Sequence, residues 1–219
     1  MYIYLFHGPS GCGKDTQVDL LVKKYKAVKI ETGDMFRKLL EAKDPDAIEA
    51  HKYWGQGHFS PSALTYKMFD KWIKNYDLNQ DIILVSVVRN VDQIPMLDDL
   101  LSGLGRKLDG FIHLNLSEAA AIERLSLRSY CPNCGATYHD KYKPEKVARI
   151  CDVCGYKLEK REDDKPKLIV ERLKEYNKTI EPILAEYAKR GILTEVDASP
   201  SIEVIHEQIL KLLKFTRER

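Results

Sequence analysis

His7-Gly8-Pro9-Ser10-Gly11-Cys12-Gly13-Lys14-Asp15-Thr16 is the stretch on which the reading of this chain turns. It follows a run of β-formers, Tyr2–His7. It precedes Val18, Leu21, Val22 and Tyr25, spaced i, i+3, i+4, i+7 as on one face of a helix. Strand, glycine-rich turn and helix in that order make a phosphate loop. The glycines let backbone N–H groups converge on phosphate oxygens, the helix N-terminus adds partial positive charge, and Lys14 reaches the outer phosphates. Asp15 stands where a Ser or Thr commonly follows the lysine, and Thr16 brings the hydroxyl one residue later. Cys12 reads as a small residue filling a tight space rather than as a redox centre.

Four more β-rich runs follow, at Ala27–Ile30, Asp81–Val88, Gly110–Leu116 and Leu193–Val196. Helical patterns lie between most of them, so the expected fold is α/β, a P-loop NTPase-like parallel five-stranded sheet flanked by helices. Asp44-Pro45 and Ser60-Pro61 each read as an N-cap followed by proline at the first helical position. Trp54-Gly55 closes the first of these helices, and Leu64, Met68 and Trp72 stripe the second. Ile169, Leu173, Tyr176, Ile180 and Tyr187 stripe a long helix in which Pro182 predicts a kink. Ser201–Phe215 predicts a last amphipathic helix. Two segments break the strand–helix rhythm and read as insertions. The expected division is core at 1–30, 74–128 and 165–219, a helical insertion at 31–73, and a lid at 129–164.

The lid carries Cys131-x-x-Cys134 and Cys151-x-x-Cys154, two knuckles that together make a tetrahedral four-thiolate site. Zinc is the default metal for four thiolates, with iron the alternative. A complete protein ligand set leaves no open coordination position, so the metal is structural, stapling about 35 residues too few to build a core of their own. His139 and Asp152 are surplus to it. A nucleic-acid-binding zinc ribbon is the rival reading. The formal net charge of +2, with 31% charged residues, and the lack of a string of exposed aromatics among the ribbon's basic residues argue against it. No apolar run reaches the roughly 18 to 20 residues of a membrane span, and no basic, apolar, small-residue leader opens the sequence. The expectation is a cytoplasmic monomer with no nucleic-acid or membrane partner.

Phosphoryl transfer between anions needs several cations around the transferred group, and arginine's planar, permanently charged fork suits that work. Arg37, Arg89, Arg124, Arg128, Arg161 and Arg172 are the candidates. Their contexts, from the loop Gly8–Gln17 through Thr32-Gly33-Asp34-Met35-Phe36-Arg37, Gly57-His58-Phe59-Ser60-Pro61, Arg89 with Gln93, Glu123-Arg124-Leu125, Thr137-Tyr138-His139, Arg161-Glu162-Asp163-Asp164 and Glu171-Arg172-Leu173, resemble in matching order the long form of the adenylate kinase family, whose lid binds zinc. The resemblance implies reversible transfer from Mg-ATP to AMP, giving two ADP. It implies that Gly11, Cys12, Gly13, Lys14, Asp15 and Thr16 bind the ATP phosphates, with Arg124, Arg128, Thr137 and Tyr138 contacting ATP from the lid side. It places AMP against Thr32, Arg37, His58, Phe59, Ser60, Ser86, Arg89 and Gln93, and makes Arg161 and Arg172 a clamp on the reacting phosphates. Lys14, Arg89, Arg124, Arg161 and Arg172 would then be catalytic, Mg2+ would travel with ATP, and Zn2+ would sit on the four cysteines.

The pattern departs from the family at one place. Val85-Ser86-Val87-Val88-Arg89 stands where the family usually has Asp-Gly-Phe-Pro-Arg. The absent aspartate normally orders water around magnesium. Asp34, from the same network, is present, and Ser86 in place of glycine narrows the room by the acceptor base. Two alternatives follow: a kinase for another monophosphate such as CMP or UMP, or a catalytically weakened nucleotide-binding protein. No general base is sought among the six histidines, because the acceptor phosphate, with a second pKa of about 6, is already largely anionic at neutral pH.

Overall fold

A computed structural model describes residues 1–54, 58–161 and 164–215. Gly55 and Gly57, and Glu162 and Asp163 of the motif leaving the lid, lie outside the described residues.

Five strands form one sheet: β1 (Ile3–His7), β2 (Val28–Glu31), β3 (Ile82–Val85), β4 (Gly110–Asn115) and, in chain order the seventh strand, β7 (Leu193–Asp197). Their spatial order is β2-β3-β1-β4-β7 and every pairing is parallel. The two-residue side-chain period sorts the central strands into two cores. Ile3 and Leu5 of β1 join Ile82 and Leu84 of β3 on one face, where they meet Met68, Phe69 and Tyr187. Tyr4 and Phe6 join Ile83 and Val85 on the other, against Val18, Leu21 and Ile209. Both faces are covered, so the strands read as unbroken apolar runs rather than as alternating ones.

The helices are α1 (Lys14–Tyr25), α2 (Thr32–Glu41), α3 (Pro45–Trp54), α4 (Ser62–Ile73), α5 (Gln93–Gly103), α6 (Glu118–Ser126), α7 (Pro166–Lys189) and α8 (Ile202–Leu212). The Asp44-Pro45 start is as read, with Asp44 Oδ1 accepting from the backbone N–H groups of Asp46 and Ala47 at 2.9 and 3.2 Å. The Ser60-Pro61 start is corrected by one residue. Pro61 is itself the N-cap, extended at ψ 135°, α4 begins at Ser62, and Ser60 is buried with no hydrogen bond to its hydroxyl from the described residues.

The third strand stops at Val85 and not at Val88. Ser86 takes φ +52°, in the left-handed region, which no strand can continue through. That turn swings Arg89 towards the ends of the strands. The first strand begins one residue late because Asp81 Oδ1 accepts the N–H of Tyr2 at 2.7 Å. α7 continues through Pro182, whose missing N–H removes one helical hydrogen bond.

Between α6 and α7 the short strands β5 (Arg128–Tyr130) and β6 (Thr137–His139) pair antiparallel. They carry a small core of their own made of Cys131, Tyr138, Cys151 and Leu158. By contrast α2, α3 and α4, which lie between β2 and β3, share the main core through Met35, Ala47, Ala50, Tyr66 and Phe69.

Candidate active site

Parallel strands all end on the same edge of a sheet, and that edge is where α/β proteins place their ligands. Here His7, Glu31 and, just past β3, Ser86 border a basin of about 1080 Å3. Pockets for a single small molecule run to roughly 300–1,000 Å3, so this basin lies at the upper end of that range.

The loop after β1 forms the floor. At Gly8 a Cβ would lie 2.6 Å from the carbonyl oxygen of Leu114 and 2.7 Å from Cys12 Sγ, so only glycine fits that crossing. Gly13 takes φ +85° as the N-cap of α1 and offers no side chain to the first turn. The N–H groups of that turn therefore remain available to an anion, with the helix dipole behind them. The seat of α1 is fixed from below. Buried Gln17 donates to the carbonyl of Ile202 at 2.9 Å, and its Oε1 lies 3.0 Å from His206 Nδ1.

All the predicted nucleotide ligands line this one basin. Gly11, Cys12, Gly13, Lys14, Asp15 and Thr16 come from the loop, and Thr32, Arg37, His58, Phe59 and Ser60 from the helical segment after β2. Ser86, Arg89 and Gln93 follow β3, while Arg124, Arg128, Thr137, Tyr138, Arg161 and Arg172 close the circle. Residues as far apart in sequence as Gly11 and Arg172 thus face one space, where the predicted arginines and the lysines of the lining outnumber its carboxylates and give it a positive field.

Local contacts hold these side chains. Gln93 Oε1 accepts from the Arg89 N–H at 2.6 Å, and Gln93 Nε2 donates to Ser62 Oγ at 3.1 Å, leaving one amide hydrogen for a guest. Thr32 Oγ1 and Arg89 Nε both donate to the Ser86 carbonyl, at 3.2 and 3.3 Å. The Arg89 guanidinium also stacks 5.7 Å from the Phe59 ring. Arg172 Nη2 donates to Ser10 Oγ at 2.7 Å, tying α7 to the loop. Arg128 grips Asp164 with two hydrogen bonds, at 2.8 and 2.6 Å. Arg124 donates to the Ser199 carbonyl at 3.1 Å and lies over Tyr142. Arg161 stacks 5.3 Å from Tyr130, and Arg37 pairs with Asp34 at 2.5 Å. Tyr138 borders the basin, but its hydroxyl is already engaged, meeting Cys151 Sγ at 3.3 Å and accepting from the Asp152 N–H at 2.8 Å.

Beside Asp15, which the resemblance already placed at the ATP phosphates, two carboxylates and two rings in or beside the basin escaped the reading from sequence as site groups. Asp15 Oδ1 is buried with no hydrogen bond from the described residues. Burial raises its pKa, but Lys14, Lys29, Arg161 and Arg128 outweigh burial, and the carboxyl titrates below its ordinary value. Glu31 moves the other way, pushed up by burial and by the Asp15 carboxylate beside it. Asp164, with 3% of its side chain exposed, anchors Arg128 and lies 3.7 Å from Arg172. His7 stacks on Tyr176 and Phe111 at 5.6 and 5.9 Å, and burial holds its pKa well below the usual histidine value. Tyr176, read as one of the apolar residues striping α7, reaches the basin and lies 2.7 Å from His113 Nε2. A stripe position shows which helix face is buried, not whether that face lines a core or a cleft.

Away from the basin, the sulfurs of Cys131, Cys134, Cys151 and Cys154 lie within 4.8 Å of one another, in two buried and two exposed positions. None is disulfide-bonded. Four thiolates each about 2.3 Å from one ion lie roughly 3.8 Å apart, so the cluster has the size of a tetrahedral metal site. His139 and Asp152 serve as turn caps instead. His139 Nδ1 accepts from the N–H groups of Lys141 and Tyr142, and Asp152 Oδ1 from that of Lys146. No described helix is long and apolar enough to cross a membrane.

The profile of the adenylate kinase family matches residues 6–192. An adenylate kinase of Carboxydothermus hydrogenoformans is 36% identical over 96% of this chain and 98% of its own length. One from Thermococcus kodakarensis is 34% identical over 98% and 95%, and one from Acholeplasma laidlawii 35% identical over 96% and 97%.

Proposed function

The chain belongs to the adenylate kinase family, and from that premise we propose how its basin moves the terminal phosphoryl group of Mg-ATP to AMP to give two ADP. The loop Gly11–Thr16 holds the ATP phosphates, with Lys14 on the outer ones. Arg124, Arg128, Thr137 and Tyr138 cover ATP from the lid side. Thr32, Arg37, His58, Phe59, Ser60, Ser86, Arg89 and Gln93 receive AMP, and Arg161 and Arg172 clamp the phosphates where the two nucleotides meet. The single observation that carries this assignment is the convergence of these side chains, from every part of the fold, on one basin of about 1080 Å3.

The acceptor phosphate is already largely ionised, so no side chain has to remove a proton. The work consists of holding donor and acceptor in line and neutralising the charge that spreads over the transferred group. Guanidinium groups fixed in advance, such as Arg172 on Ser10 and Arg89 on the Ser86 carbonyl, need little reorganisation when the phosphates arrive. We further assign 129–164 as a lid and 31–73 as a second cover. Closing both excludes the water that would otherwise take the phosphoryl group.

Magnesium fits this basin. The buried Oδ1 of Asp15, which takes no hydrogen bond from the described residues, and the hydroxyl of Thr16 are hard oxygen ligands of the kind that ion and its water shell accept. When bound with ATP, it offsets phosphate charge. The four-sulfur cluster fits structural zinc. Helices cover both faces of the sheet, which supports a monomer, and the absence of a membrane-spanning helix among the described residues accords with a cytoplasmic site.

Purified protein given ATP, AMP, magnesium and zinc is expected to form ADP, with AMP preferred over CMP and UMP in a side-by-side panel. Lys14→Met is expected to lower kcat by on the order of a thousandfold while the protein remains folded. Absence of ADP with every acceptor would refute the assignment.

A further inference from the structure

Buried polar atoms are nearly always hydrogen-bonded, so one that is not, at the wall of a cleft, asks for a partner from what the cleft receives. Trp54, the last residue of α3, borders the basin, and its indole Nε1 is buried with no hydrogen bond from the described residues. The ring is held in place, with Phe36 tilted against it at 6.1 Å and His51 meeting it edge-on at 4.4 Å. Ser60 also borders the basin, and its buried hydroxyl is in the same condition. This stretch is joined to Gln93 through Ser62, whose Oγ accepts from Gln93 Nε2 at 3.1 Å. The acceptors at this end are already taken. The Ser86 carbonyl receives Thr32 and Arg89, and Gln93 Oε1 receives the N–H groups of Arg89 and Asn90 at 2.6 and 3.4 Å. What is left over is donors: the indole N–H and one amide hydrogen of Gln93.

We propose that Trp54 is a specificity-determining residue whose indole N–H donates to a ring nitrogen of the acceptor purine, so that a monophosphate with no acceptor atom at that point of its base is turned away. The inference rests on the placement of AMP at this end proposed above. An indole N–H can only donate, so an N–H or C–H edge cannot satisfy it. Phe36 and Phe59, which line the same basin, offer flat apolar surface to the base. Trp54 stands inside the segment assigned above as a cover, and closure brings its indole edge to the guest. A base that presents C–H there leaves the donor buried and unmet, which carries its full desolvation cost. Sites built to hydrogen-bond a group reject analogues lacking it far more strongly than apolar pockets reject a change of size. A purely structural Trp54 would support every acceptor alike.

Steady-state kinetics of the full chain with AMP and with its 1-deaza, 3-deaza and 7-deaza analogues reads this contact atom by atom, since each analogue puts C–H in place of one ring nitrogen. With one of them the parent should lose about tenfold to a hundredfold in kcat/KM. In Trp54→Phe that penalty should vanish, AMP itself falling to the level of the analogue, chiefly through KM. An analogue lacking the nitrogen that Gln93 meets should lose equally in both proteins. Trp72 supplies the control. Its Nε1 also has no hydrogen bond from the described residues, but Trp72 does not border the basin, so Trp72→Phe should keep the parent's pattern. Should Trp54→Phe not fold, benzothienylalanine at position 54 takes its place, because it keeps the shape of the ring and deletes only the N–H. Equal kcat/KM of the parent for AMP and all three analogues overturns the proposal, and so does a pattern that loss of the Trp54 N–H leaves unchanged. Failure of the parent to phosphorylate AMP at all overturns the AMP seat and this proposal together.

Discussion

Ser86 and His7 show how much a single position can decide. A non-glycine residue at φ +52° carries a strain of about 1–2 kcal/mol, and Ser86 does so because its carbonyl must accept from both Thr32 and Arg89. Ser86→Gly relieves that strain but loosens the unfolded chain, so its stability should stay within about 1 kcal/mol of the parent. Ser86→Val should cost about 1–3 kcal/mol, because a β-branched side chain tolerates the left-handed region poorly. Chemical denaturation of the two variants separates these outcomes. His7 gives a pH dependence of known sign. Its folded pKa lies well below the ordinary 6.5, chiefly through burial and then through Lys14 and Arg89. The unfolded chain therefore takes up a proton that the folded one refuses. Its contribution is fully present above pH 6.5 and is lost as the pH falls from there towards the folded value. His7→Phe keeps the ring between Phe111 and Tyr176 and should flatten the slope of stability against pH below 6.5, measured by thermal melts from pH 5 to 8.

At the scale of elements, the segment between α6 and α7 is the one that cannot stand on packing alone. Its core is Cys131, Tyr138, Cys151 and Leu158 with Ala136 at the edge, and two of the four clustered thiols are exposed. Beyond the Tyr138 hydroxyl, which meets Cys151 and Asp152, a metal on the four sulfurs would be the cross-link that ties the two knuckles. A chelator, or Cys134→Ser, should make residues 129–161 sensitive to proteolysis and lower the first thermal transition, while the parallel sheet keeps its protection. Unchanged cleavage and melting would rule out a structural metal there. α1 is the opposite case, because its N-terminal amides are left open while Gln17 and His206 fasten its body to α8. An element that must present unpaired groups at one end has to be anchored along its side.

For the whole molecule, stability and binding are divided between layers. The cores above and below the sheet meet at β1, β3 and β4, so a cut in either should be felt globally. Phe111, fully buried and stacked 4.6 Å from Tyr187, should cost about 3–5 kcal/mol as Phe111→Ala, with one cooperative transition retained. The loop Gly8–Thr16, the strand–helix rhythm and the paired cysteines were legible in the sequence because each is a local pattern whose geometry a few adjacent residues fix. Strand ends were less so: β3 ends at Val85 because Ser86 turns left-handed, and one of the two groups on the Ser86 carbonyl, Thr32, comes from 54 residues away. The places of Glu31 and Tyr176 in the basin stayed hidden because they depend on contacts far along the chain. The linear pattern fixed which residues carry charge and which face of each element is apolar. Only the folded chain decided which charges face one another, since a Coulomb interaction depends on separation in space, and residues 15, 31 and 161 acquire that separation when the strands align.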